Sequence, residues 1–143
     1  MNYIIFDLEA TCWDNDKSKP RLTTIKQEDV NEAKVFNNII KEFEDWIVSD
    51  DLDMVLCSWG FYDKKQIRTE CEVKDYSGNI CALLKKHISI KHQFAKIKNI
   101  QPCGMWQALD MMGFKLDGTH HRGIDDARNI TKIFKAIFYD LKF

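Results

Sequence analysis

Three observations predict an α/β layered fold. Two short runs, Asn2–Leu8 and Asp53–Trp59, are rich in β-branched, aromatic and aliphatic residues and end at polar or glycine positions, as strands do. Between and after them apolar residues recur at helical spacing, first in Phe36, Ile39, Ile40, Phe43, Trp46 and Ile47. Strands that alternate with helices build a sheet whose strand ends carry the site. A chain of 143 residues is long enough for one packed core, so residues 1–143 are expected to form one domain.

The composition narrows the function classes. Hydrophobic residues make up 45% and charged residues 30%, the balance of an ordinary globular protein. The net charge of -1 excludes polyanion binding driven by total charge and leaves only a local patch. Asp7 and Glu9 interrupt the apolar N-terminal run, so it does not read as a secretory signal or a membrane span. Five cysteines, at 12, 57, 71, 81 and 103, include no C-x-x-C pair. An odd number so spaced fits reduced thiols and a cytoplasmic location better than a disulfide framework or a zinc site.

In chain order, the first strand covers residues 2–8. Its period-two alternation puts Ile4, Phe6 and Leu8 on one face and Tyr3, Ile5, Asp7 and Glu9 on the other. Asp14 to Arg21 is polar and too short for a hairpin. A brief helix is expected over Gln27–Ala33 and a stronger one over Val35–Val48, whose apolar stripe is expected to be core. Asp53–Trp59 is the second strand. A helix follows over Tyr62–Lys74, broken by Asp75 and Ser77-Gly78. His87–Ile90 is a short third strand, with a helix over Lys91–Ile97 behind it. A further helix covers Met105–Met112, stopped by Gly113 in the C′ position. The last helix spans Ile124–Leu141, with Ala127, Ile130, Ile133, Phe134, Ile137, Phe138 and Leu141 on its buried face.

Carboxylates stand out against this background. Asp7 and Glu9 lie side by side at the end of an apolar strand, where like charges repel and burial is costly. A hard divalent cation such as Mg²⁺ or Mn²⁺ would resolve the conflict; a solvated strand end is the simpler alternative. Asp63 starts its helix above Ile67 and Cys71, on the inward face, although an acidic first turn also suits the helix dipole. Asp126 points inward at the start of the last helix, and His121 lies in the loop before it.

Phe6-Asp-Leu-Glu-Ala-Thr11, Ser58-Trp-Gly-Phe-Tyr-Asp63 and His120-His-Arg-Gly-Ile-Asp-Asp-Ala-Arg-Asn129 together resemble the three motifs of the DEDDh 3′–5′ exonucleases. The Ala-Thr-Cys-Trp extension and the third run are most similar to the enhanced-RNAi and histone-mRNA 3′-exonuclease branch and the nearby KapD-like proteins. The resemblance implies an RNase H-like α/β fold, a mixed sheet flanked by helices. It also implies stepwise release of nucleoside monophosphates from the 3′ ends of single-stranded RNA or DNA, RNA favoured. Asp7, Glu9, Asp63 and Asp126 correspond to the family's metal-binding carboxylates and His121 to its catalytic histidine, with His120 structural. The cofactors implied are two divalent metal ions, Mg²⁺ or Mn²⁺, in a clamp on the attacking and leaving oxygens. Asp7 would bridge them, Glu9 and Asp126 would complete the nucleophile-side site, and Asp63 would hold the second ion. Thr11 and Trp13 are candidates for contacting the terminal nucleotide, or for ordinary loop packing.

The chain departs from its relatives in one place. They carry two antiparallel strands between the first motif and the Leu-Thr-x-Ile stretch, here beginning at Leu22, and two strands of typical length need on the order of a dozen residues. The hairpin is therefore expected to be absent and the first strand to be a sheet edge. Its row of apolar residues would need cover, from a two-fold partner chain in a homodimer or from the Asp14–Arg21 segment. Two other readings compete with a nuclease: a catalytically weak nucleic-acid-binding or regulatory module, and an α/β protein whose acids merely cap its elements.

Overall fold

A computed structural model describes residues 1–9, 12–13, 20–21, 27–47 and 53–141, with the side chains of 12, 13, 20, 21, 27, 29 and 30 left aside. Its central sheet joins β1 (Asn2–Ile5), β4 (Met54–Ser58) and β5 (Ile88–Ser89), all parallel, in the order β1-β4-β5. Asn2 pairs with Met54 through to Ile5 with Cys57, and Cys57 and Ser58 pair with Ile88 and Ser89. All five residues of β4 are buried, as expected of a parallel strand covered on both faces. The sheet is small, as the reduced central sheet flanked by helices was expected to be, and among the described residues it is all parallel where a mixed one was expected.

Alternation in β1 sorts the molecule into two layers. Tyr3 and Ile5 join Val55 and Cys57 of β4 in a core completed by Ile90, Phe94, Leu109, Ile130, Ile133, Phe134 and Ile137. These come from α5 (Ile90–Lys98), α6 (Met105–Met111) and α7 (Gly123–Ile137). Ile4, Phe6 and Leu8 face the other way, with Met54 and Leu56, toward Ile40, Ile47, Ile67, Cys71, Ile80 and Leu83. That layer consists of α2 (Phe36–Ile47), α3 (Tyr62–Val73) and α4 (Asn79–Leu83). A short α1 (Gln27–Glu32) precedes it.

Several expectations need correction. A hairpin-like ladder exists after all: β2 (Cys12–Trp13) pairs antiparallel with β3 (Pro20–Arg21), Cys12 with Arg21 and Trp13 with Pro20. The expectation of its absence assumed strands of ordinary length; at two residues each, they fit. The ladder stands apart from the main sheet, so among the described residues β1 is an edge, as expected. Most of the Asp14–Arg21 segment expected to cover that edge lies outside the described residues.

The stripe on α2 is wider than its buried face. Ile40 and Ile47 are buried, whereas Ile39 is 47% and Trp46 68% exposed. In their place Glu44 is buried, because its carboxylate accepts from the Tyr76 hydroxyl (2.7 Å) and the Ile80 amide (2.6 Å) and so caps α4. That helix, and the 3₁₀ turn Leu84–Lys86 behind it, were not foreseen. The third strand shrinks to Ile88–Ser89. The last helix ends at Ile137, followed by a 3₁₀ turn over Phe138–Asp140. Gly113 does terminate α6: at φ +67° it donates to Asp110, while Phe114 donates to Leu109, both at 2.9 Å, the bond pair of a Schellman motif.

Cys57, Cys71, Cys81 and Cys103 are unbridged, and the first two are core residues, as expected. Among the described residues no helix is long and apolar enough to cross a membrane.

Candidate metal centre

The shared face of β1 leads to the site. Past its end the chain presents Asp7 and Glu9 on the α7 side of the sheet, the side of Tyr3 and Ile5. The α7 N-terminus comes down beside them: a Cβ on Gly123 would lie 3.3 Å from the Asp7 carbonyl oxygen and 3.5 Å from Glu9 Cγ. This close approach lets Asp126, in the first turn of α7 and 6% exposed, join them. One ligand atom from each of Asp7, Glu9 and Asp126 lies within 4.8 Å of the others.

Asp63 enters from the opposite layer, at the start of α3, and is buried. Its Oδ1 accepts from the backbone N–H of Leu8 at 3.2 Å, which ties the chain between Asp7 and Glu9 to α3. The Ser58 hydroxyl, at the end of β4, bonds the Gly60 carbonyl at 3.0 Å and lies 2.9 Å from His87 Nε2. Asp63 stands outside the three-carboxylate cluster but close enough to act on Asp7.

The electrostatics follow from this crowding. Burial, then the charges of Asp63, Asp126 and Glu9, push Asp7 up to about 7. Burial also raises Asp63, opposed by the nearby Ser58 hydroxyl and the bond from the Leu8 amide. Asp7, crowded by three further carboxylates, is disfavoured as an anion unless a cation offsets the charge. Hard oxygen donors within one ion's reach suit a divalent metal, so the residues present fit such an ion.

The histidine loop is built by residues that the motif reading passed over. Buried Asp125 accepts from the Thr119 amide at 3.1 Å, and that bond, with Arg122 and Arg128 alongside, keeps its carboxyl below the usual range. Fully buried Asn129 brackets Asp117, accepting from its N–H (3.0 Å) and donating to its carbonyl (2.8 Å), and also donates to the Asp125 carbonyl. The loop is thereby clamped at both ends. His121 is held at φ +66°, a left-handed conformation sparsely populated by residues other than glycine.

Its backbone N–H donates to Asp126 Oδ2 at 3.0 Å. The ring in hydrogen-bond contact with Asp126 is that of His120, whose Nδ1 lies 3.1 Å from Oδ1; ring nitrogens of both histidines and an Asp126 oxygen lie within 4.8 Å of one another. The two imidazoles stack at 3.9 Å between centroids. Thr11 lies outside the described residues, and Trp13 is described only by its backbone in β2. Asp125 and Asn129 could have been suspected from their place in the third motif and Ser58 from its place in the second; His87 carries no such signal.

Solved structures share this fold. The chain is similar to the nuclease domain of 3′hExo, a DEDDh family member bound to rAMP: TM-score 0.75, 24% identity, 85% of this chain and 64% of that one. It also resembles a 3′-exonuclease solved in recognition of the histone mRNA stem-loop, with TM-score 0.72 and 23% identity over 83% of this chain and 43% of that one. The architecture is therefore the RNase H-like fold of the DEDDh exonucleases.

The RNase T exonuclease family model matches residues 20–134, and the chain belongs to that exonuclease family. Family members generally use divalent metal ions. The match starts after Asp7 and Glu9, which the geometry above brings into the site. An exonuclease domain-containing protein of Arabidopsis thaliana is 29% identical over 71% of this chain and 33% of its own length. For the "Probable 3′-5′ exonuclease KapD" of Bacillus subtilis the figures are 24%, 89% and 63%. For the 3′-5′ exoribonuclease 1 of Rattus norvegicus they are 24%, 83% and 36%. The chain thus spans between a third and just under two thirds of these relatives.

Proposed function

We propose that this chain, as one domain over 1–143, is a divalent-metal-dependent 3′–5′ exonuclease. It would release nucleoside monophosphates stepwise from 3′ ends of single-stranded nucleic acid, RNA in preference to DNA. One observation carries the reading. Carboxylates from opposite ends of the chain, Asp7 and Glu9 against Asp126, come within 4.8 Å of one another, with Asp63 buried beside them. Family membership and the names of the exoribonuclease relatives support it.

Two bound Mg²⁺ or Mn²⁺ ions would supply a positive clamp on the attacking and leaving oxygens of a phosphodiester. Asp7 would be the ligand shared by both ions, since it lies close enough to feel Asp63 as well as Glu9 and Asp126. Glu9 and Asp126 would complete one site and Asp63 would hold the other. His121 takes the proton from the attacking water, a role histidine commonly fills as a general base. His120 and the His121 amide orient the Asp126 carboxylate, as partners of metal ligands commonly do. Thr11 and Trp13 contact the terminal nucleotide. The protein acts in the cytoplasm, and the open edge of β1 is covered by a second copy or by residues 14–21.

The test is a time course on 3′-labelled and 5′-labelled RNA and DNA oligonucleotides. Labelled mononucleotide should leave the 3′-labelled strand at once, and the 5′-labelled strand should shorten in a ladder, faster for RNA and only with Mg²⁺ or Mn²⁺. Activity in excess EDTA would rule the mechanism out. A wild type that binds nucleic acid and Mn²⁺ but leaves both strands intact would point to a regulatory module instead.

A further inference from the structure

The loop ahead of α7 gathers a second donor set, one that the mechanism above does not use as ligands. Two of the chain's four histidines, His120 and His121, stand side by side there, and both are exposed. Their rings stack at 3.9 Å between centroids and 25° between planes. One ring nitrogen of each and one oxygen of buried Asp126 lie within 4.8 Å of one another. Around a tetrahedral Zn²⁺, with Zn–N and Zn–O near 2.0–2.2 Å, neighbouring donors stand about 3.3 Å apart. His120 Nδ1 and Asp126 Oδ1, at 3.1 Å, have that spacing. The exposed His121 ring supplies the third donor by a turn about its side-chain bonds.

The base of this set is fixed. Asp126 Oδ2 accepts from the His121 backbone N–H at 3.0 Å, which holds the carboxylate without using a ring nitrogen. Asp125 on the Thr119 amide and Asn129 on Asp117 hold the loop from which both rings project. Donor chemistry separates the set from its neighbour. Asp7, Glu9 and Asp126 offer oxygen alone, which suits Mg²⁺ and Mn²⁺; imidazole suits Zn²⁺, and Zn²⁺ outranks Mn²⁺ in affinity at such mixed sites. Two histidines, one carboxylate and an open position also make up a known donor set for zinc. Asp126 belongs to both clusters.

We propose that His120, His121 and Asp126 form an inhibitory Zn²⁺ site: an ion held there occupies the His121 ring and competes with the Asp7–Glu9 set for Asp126. A neutral imidazole has one nitrogen with a lone pair and one N–H. Once the lone pair binds the metal, the ring cannot take a proton from water. The ion thus withdraws a base and a ligand together. The inhibition rests on the nuclease reading above; the Zn²⁺ site rests on the loop geometry.

Nitrogen-15 NMR of the wild type, titrated with Zn²⁺ as its sole divalent ion, reads the ligands without any variant having to fold. One ring nitrogen each of His120 and His121 should take a metal-bound shift, and those of His87 and His92 should not. Calorimetry with Zn²⁺ and with Mn²⁺ compares wild type, His120→Ala and Glu9→Gln. His120→Ala should weaken Zn²⁺ by about 10–100-fold, a loss that even an outer partner of a metal ligand can cause. Glu9→Gln should keep wild-type Zn²⁺ affinity while weakening Mn²⁺. Mononucleotide release from 3′-labelled RNA in Mg²⁺ is then followed against added Zn²⁺. Half-inhibition should need about 10–100-fold more Zn²⁺ in His120→Ala than in wild type, each scaled to its own uninhibited rate.

Zn²⁺ that shifts neither ring or only one, that binds His120→Ala as tightly as wild type, or that is lost with Glu9→Gln overturns the site. Zn²⁺ that binds both rings yet leaves cleavage unslowed overturns the inhibitory role. A wild type inactive with Mg²⁺ and Mn²⁺ overturns the nuclease reading instead, while NMR and calorimetry still decide the site.

Discussion

The two halves of the candidate metal centre are built in opposite ways. On the α7 side, Asp7, Glu9 and Asp126 meet under a loop with both histidines exposed, and backbone strain at His121 is held by Asp125 and Asn129. On the α3 side, Asp63, Ser58 and His87 are all buried and held by direct hydrogen bonds within the core. The difference teaches that one site can combine an exposed half built on a strained loop with a buried half set by the core. Strain and exposure accompany the first; burial and core hydrogen bonds accompany the second.

The largest expected effect comes from the residue common to both halves. Asp7→Asn should cut exonuclease activity by about 10²–10³-fold or more, the scale of losing a preorganised electrostatic group. Mononucleotide release from 3′-labelled RNA measures it. The same variant tests the crowding. Asp7 has a folded-state pKa of about 7 against an ordinary 3.8. Folding therefore favours its protonated form, and that stability is fully present below pH 3.8 and lost as pH rises to about 7. In EDTA the melting temperature of wild type should fall relative to Asp7→Asn across that window, with the two converging near pH 4. Added Mn²⁺ should raise the wild type by mass action. A constant difference between the two proteins from pH 4 to 8 would contradict the crowded site.

Within the exposed half, His121→Ala should slow cleavage by about 10²–10⁴-fold, the usual contribution of a general base, while calorimetric Mn²⁺ affinity changes little. His120→Ala should be milder for turnover and affect Mn²⁺ binding more, because its ring is the one against Asp126. The reverse ranking would exchange their roles.

A smaller effect is expected one step further from the chemistry. Asn129→Ala strands the Asp117 and Asp125 backbone groups it serves, at about 1–3 kcal/mol, and loosens the loop that carries His121. Urea unfolding reads the stability loss, and kcat should drop with it; an unaffected kcat would separate loop strain from function. The smallest change belongs to α2. Ile39→Gln should alter stability by no more than about 0.5 kcal/mol, as at ordinary surface positions, whereas Ile40→Ala should cost about 2–5 kcal/mol. Equal losses would show that the whole stripe is core.

Much was legible in the sequence because it depends on local geometry. A strand's period of two put Asp7 and Glu9 on the face of Tyr3 and Ile5. Helical spacing put Asp63 and Asp126 on inward faces, and Gly113 marked a helix end through its backbone freedom. The motif spacing singled out His121 five residues before Asp126. Tertiary structure decided what depends on which surfaces meet. Ile39 and Trp46 sit in the stripe yet face outward, because α2 has one neighbouring layer to pack against. Glu44 is buried because a helix distant in sequence needed a cap. The ring hydrogen-bonded to Asp126 is that of His120, while His121 reaches the same carboxylate through its backbone N–H and brings its own ring nitrogen within 4.8 Å of it. His87 acquires its neighbours only when β4, α3 and the chain after α4 converge. Periodicity says which side of an element a residue occupies; what waits on that side is set by packing and by the hydrogen bonds that burial demands.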